Sequence, residues 1–282
     1  MGRGQPALGL LGEDELVRRA PWLVAALLLL AGCGGTTAPS GTPSPSETPT
    51  QAVAAPTPKE DACHQLAYDQ AVAPTAPDAT VPCSGRHTSQ TYAVGRLDRV
   101  VDGHLLAVSS DRVQHQISGS CPDALAHFLG GSEDDVRLSL LRSVWFTPSD
   151  GQAAAGANWY RCDVVAVSGP QQLAQLSGSL HGVLSSGRAD DYALCGTAKP
   201  GTADFRRVAC SEHHSWQAVS IVHFSGADYP GQGTVEAAGT SPCKDAARAR
   251  ASDTLNYQWG YDWPSKEQWD AGQTYGVCWA EG

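Results

Sequence analysis

No apolar run in this 282-residue chain is long enough to cross a bilayer as a helix: Trp22–Leu30 is nine residues, and a span needs about 20. Positive charge is scarce. Nineteen Lys and Arg stand against 29 Asp and Glu, a net charge of −10 that repels phosphate backbones and anionic headgroups and so excludes nucleic acid as a partner. The catalytic signatures are missing as well. There is no Gly-x-Ser-x-Gly elbow, no His-Glu-x-x-His and no phosphate loop, and the carboxylate runs Glu133-Asp134-Asp135 and Asp190-Asp191 sit in polar, turn-like surroundings that read as solvated caps. No Cys-x-x-Cys occurs and the histidines follow no ligand spacing, so neither a metal nor another cofactor is expected.

The short apolar run ends in Leu30-Ala31-Gly32-Cys33. A short run closing in small residues is an export signal. This one resembles the lipobox of bacterial lipoproteins, whose signal is cut before a diacylglyceryl-bearing cysteine. The resemblance implies a signal peptide at 1–32, lipid attachment at Cys33, and a mature protein anchored to the outer face of the cytoplasmic membrane. Glu13-Asp14-Glu15 makes a poor n-region and Val17-Arg18-Arg19 a good one, so the expected start is Leu16 or Val17. Residues 33–59 follow as a tether of Thr, Pro, Ser, Ala and Gly, which buries too little to order itself and extends through its prolines.

Beyond the tether the remaining eight cysteines fall in two sets of four, at 63, 83, 121 and 162 and at 195, 210, 243 and 278. Other residues keep register with them. Cys83-Ser-Gly-Arg-His87 matches Cys210-Ser-Glu-His-His214, and Gln90 matches Gln217. Pro148 and Pro264 each lie fourteen residues before the last cysteine of their set, and Ala155-Gly156 repeats as Ala271-Gly272. The pattern reads as a tandem duplication, with repeats at 60–168 and 190–282 and a connector at 169–189.

Each repeat is expected to be a small α+β domain, one helix on an antiparallel sheet. Cys121-Pro122 and Ser241-Pro242 are expected to open the helices, and Leu97–Val108 to form an extra hairpin turning at Asp102-Gly103. The connector's leucines recur at helical spacing but are interrupted by Gly178 and Gly182. In an oxidising compartment the cysteines should pair, and equal pairing in both repeats leaves three patterns. The favoured one is Cys63–Cys83, Cys121–Cys162, Cys195–Cys210 and Cys243–Cys278. On this reading the fragment 188–282 should fold alone.

These motifs together resemble the septum formation domain family of actinobacterial envelope proteins. The resemblance rests on Val208-Ala-Cys210-Ser-Glu-His-His214, Cys243 and the block from Pro264 through Trp269 and Gly272 to Cys278. The first copy shows Val81-Pro-Cys83, His87, Cys121, Pro148, Gly156 and Cys162, with Ala153 in place of the tryptophan. The family implies a link to division or cell-wall organisation. The expected role is therefore a non-enzymatic binding or scaffolding lipoprotein whose partners are the membrane, through its lipid, and an envelope or division protein or cell-wall glycan. The alternative is a cell-wall enzyme or glycan-binding module. His87, His214 and Trp269 are the candidate binding residues, and the alternating Tyr257, Trp259, Tyr261 and Trp263 are either a buried sheet face or a sugar-stacking platform.

Overall fold

Residues 54–282 are described by the computed structural model. The signal segment, Cys33 and most of the tether lie outside the described residues, among which no helix is long and apolar enough to cross a membrane.

Alternating apolar segments pair into two antiparallel sheets. The first contains β1 (Cys63–His64), β2 (Ser89–Arg96), β3 (Leu141–Phe146) and β4 (Trp159–Gly169), in spatial order β1-β2-β4-β3. The second contains β5 (Leu194–Gly196), β6 (Arg207–Ala209), β7 (Trp216–His223), β8 (Trp259–Asp262) and β9 (Tyr275–Glu281), in order β6-β5-β7-β9-β8. With β6 set aside, the two orders coincide strand for strand. The registers coincide too: Cys63 pairs with Gln90 as Cys195 pairs with Gln217, and Trp145 faces Cys162 as Tyr261 faces Cys278. The bulge of β2 between Thr91 and Ala93 recurs in β7 between Ala218 and Ser220.

The helices differ more from expectation. α1 runs Asp111–Leu129, so it opens ten residues before Cys121 and carries Pro122 in its interior. Its buried stripe of Val113, Ile117, Cys121, Leu125, Phe128 and Leu129 continues across the proline. Burying each such side chain is worth about 1.5–3 kcal/mol, and together they outweigh the roughly 3 kcal/mol an interior proline costs. Then come α2 (Glu133–Arg137) and α3 (Asp150–Ala154), and in the second half α4 (Gln232–Ala238), α5 (Thr240–Arg250) and α6 (Lys266–Asp270). α5 is preceded by Gly239 without a side-chain cap, so Ser241 does not cap it. α3 and α6 share one device. Ser149 with Gln152, and Ser265 with Gln268, form reciprocal capping boxes, and Gly156 and Gly272 follow with φ of 103° and 98°.

The four disulfides are Cys63–Cys83, Cys121–Cys162, Cys195–Cys210 and Cys243–Cys278, the favoured pairing, with Cα–Cα distances of 5.3, 5.5, 5.0 and 4.8 Å. The hairpin is present, Val100 pairing with Leu105 across Asp102 and Gly103, both at positive φ.

Residues 54–282 form one unit, and the main core runs through both sheets. From the first it takes Tyr92, Cys162, Val164 and Ala166, on the face that α1 covers; from the second it takes Trp216, Ala218, Val277 and Trp279. Side chains alternate along a strand, so Val277 and Trp279 point away from Cys278, which is tied to α5. The helix-covered face of the first sheet thus shares its core with the helix-free face of the second. The connector is part of this core: Leu176, Leu180 and Val183 are buried, and Leu176–Ser177 pairs as a strand with Arg86–His87. Gly178 and Gly182, at φ of 67° and 68°, break the helical spacing into short turns.

Candidate functional site

The histidines that recur in the two halves do the same local job. His87 Nδ1 donates to the Gly85 carbonyl two residues back (3.1 Å), and His214 Nδ1 to that of Glu212 (2.8 Å). His87 is fully buried and His214 half-buried. Trp269 is buried in α6, stacks near Phe224 and Tyr229, and donates from Nε1 to the Ala227 carbonyl (3.0 Å), which pins the loop after β7. No contact links these three residues among the described ones. The aromatic ladder faces α4 and α5: the Tyr261 hydroxyl donates to Val235 (3.0 Å), Lys244 lies over Trp259, and Arg248 over Tyr257.

A different constellation forms where the two sheets meet. A cleft of about 350 Å³ opens between α1, α2 and β3 on one side and β6, β9 and the turn after α6 on the other. That volume is at the small end of ligand sites, about 300–1,000 Å³. Three arginines line it. Arg137, from α2, pairs with Glu133 (2.8 Å) and Asp134 (3.0 Å) and lies over the Tyr275 ring. Arg207, from β6, pairs with Asp262 (2.5 Å). Arg142, from β3, has no carboxylate partner among the described residues; its Nη1 donates to the carbonyls of Val136 (3.3 Å), Ser139 (2.9 Å) and Leu141 (2.7 Å). Burial pulls the Arg142 guanidinium below its usual pKa, the Tyr275 phenol opposes that shift, and the Arg207 charge adds to it.

The lips are tied to one another. Asp134 Oδ2 accepts from His223 Nε2 (2.9 Å), joining α2 to β7, while Leu140 N donates to Tyr192 O (2.7 Å) and Leu194 N to Leu138 O (2.9 Å). None of His87, His214 or Trp269 lines this cleft. Sequence reasoning missed Arg142, Arg207 and Tyr275 because no motif surrounds them. The available signal was Arg142 itself, one charge inside the apolar strand Leu141-Arg-Ser-Val-Trp-Phe146.

A second titratable cluster is sealed on the far face of the first sheet. Asp163, fully buried, pairs with Arg161 (3.0 Å) and accepts from Ser89 (2.6 Å) and Thr91 (2.8 Å); His64 lies 3.2 Å from the Thr91 hydroxyl and donates from Nδ1 to Ala79 O (2.9 Å). Burial and the Arg161 charge lower the His64 pKa, against the opposing pull of Asp163, the Ala79 carbonyl and Asp78.

A family model described as septum formation matches residues 140–278, just under half the chain. The match is one continuous segment from the start of β3 to β9, and does not divide into two copies. It contains Arg142, Arg207 and Tyr275. No curated protein and no solved structure matches.

Proposed function

From the septum-formation match, we propose that the chain is an extracytoplasmic lipoprotein, anchored through Cys33, that serves septum formation in an actinobacterial envelope as a binding module rather than an enzyme. Its two sheets are read as tandem copies of one ancestral unit, on the strength of their common strand order, register and bulge. The observation that carries the binding role is the position of the cleft: the segment similar to the family begins and ends with the strands β3 and β9 that line it. The glycan-platform alternative has less support, because the aromatic ladder packs under α4 and α5.

The test uses two variants in the native host. Ala271→Trp fills the cleft from the turn after α6 and replaces no residue that pairs with an arginine; it should produce a septation defect at normal protein level. Cys33→Ala should release the protein from the detergent phase. Normal septation with Ala271→Trp would sink the cleft as the working site, and unchanged partitioning with Cys33→Ala would sink the anchor.

A further inference from the structure

We propose that the cleft between the two sheets binds a small carboxylate-bearing ligand, with Arg142 as its charge partner and the apolar wall around Leu125, Val136 and Val277 taking the remainder of the molecule. The proposal names the ligand class of the site described above and rests on that reading.

The argument begins with donors. A guanidinium carries five N–H groups, and the three backbone carbonyls occupy only Nη1 of Arg142, leaving Nε and Nη2. Those two atoms form the edge that grips a carboxylate in parallel hydrogen bonds. A half-buried cation with no counter-ion is expensive to hold, and an incoming carboxylate supplies that counter-ion. Arg137 and Arg207 cannot compete for the role, since each already has a carboxylate of its own. Their function is to fix the walls, Arg137 through the Tyr275 ring and Arg207 through Asp262.

Charge also sets the kind of anion. Glu133 is already matched by Arg137 but Asp123 lines the same cleft, so one negative charge is matched by Arg142, while a doubly charged phosphate exceeds that match and meets repulsion from Asp123. Volume and lining limit the rest of the ligand to something about the size of a short peptide, with an apolar part to cover Val136 and Val277.

The experiment titrates the mature, disulfide-intact chain with a panel of N-acetyl dipeptides as free acids, with the same dipeptides as C-terminal amides, and with inorganic phosphate. Binding is followed by calorimetry and by the Arg142 Nε–H resonance. At least one acid should bind about tenfold more tightly than its amide and than phosphate, and should shift that resonance. Arg142→Gln should abolish the preference for acid over amide, Arg142→Lys should keep part of it, and Ala271→Trp should block the acid. Equal binding of acid and amide, preference for phosphate, absence of binding across the panel, or an unmoved Arg142 resonance overturns the proposal. The resonance is read on the unaltered chain, so it decides even if Arg142→Gln fails to fold. Should Ala271→Trp impair septation while no acid binds, the cleft stands and the ligand class falls; should the acid bind while septation is normal, the functional reading falls instead.

Discussion

Arg161 and Asp163 flank Cys162 as Val277 and Trp279 flank Cys278, so the same two pleat positions carry an ion pair in the first sheet and apolar side chains in the second. The neighbours follow suit: Ser89 and Thr91 stand where the second sheet has Trp216 and Ala218. Both Asp163 oxygens have hydroxyl donors, while Arg161 is held by its ion pair with Asp163 and by the Phe146 ring beneath it, its Nε and Nη2 making no hydrogen bond among the described residues. Removing one partner of such a pair strands the other, so Asp163→Ala should destabilise the protein by about 3–5 kcal/mol in denaturant unfolding. His64 supplies a pH dependence. Its folded pKa is held below the usual 6.5, so the unfolded chain takes up a proton first as pH falls and stability drops from about pH 6.5 downward. Thermal melts at about pH 7.5 and pH 5 should show that loss, and His64→Gln should shrink it.

Among the elements, β8 and β9 hold the tightest fit. The Tyr261 ring lies between Gly239 at the start of α5 and Gly276 in β9, and a Cβ at either glycine would run into it. Burial raises the Tyr261 pKa to about 12, so the hydroxyl stays protonated and keeps its bond to Val235. Gly239→Ala and Gly276→Ala should each cost about 1–3 kcal/mol by overpacking, measured by thermal unfolding with disulfides intact. Replacing Cys243 and Cys278 by alanine should cost about 2–5 kcal/mol, since the bridge closes a separation of 35 residues. Strands and bridges were legible in the sequence because alternation and cysteine offsets are local and repeat. The α1 start was not. Cys121-Pro122 imitates a first turn, and only the tertiary burial of Val113 and Ile117 extends the helix past it. The cleft was hidden for a related reason: Arg142 and Tyr275 are 133 positions apart and meet only when the sheets pack.

At the scale of the whole molecule, the shared core argues against the expectation that residues 188–282 fold alone. Cut free, that fragment exposes Trp216, Ala218, Val277 and Trp279 on one face of its sheet. It should be aggregation-prone or molten, with dye binding and no cooperative melt, whereas residues 54–282 melt as one transition. Mixing it with residues 54–187 should restore cooperativity if the face is the cause. The arrangement of that face carries a further consequence. Because the helix-covered side of one sheet meets the opposite side of the other, the contact is head to tail, and head-to-tail contacts, when repeated, build rings or open arrays. Growth at the first sheet is stopped because its outer side holds the Arg161–Asp163 pair and is covered by Leu66 and by Ala71 of the short helix Tyr68–Ala71, which pack on Val144, Phe146 and Val165. The ion pair is, in the language of solenoids, an end cap. A variant carrying Arg161→Val and Asp163→Trp, with residues 65–79 removed, should form self-templating polymers in light scattering under conditions where the unaltered chain does not.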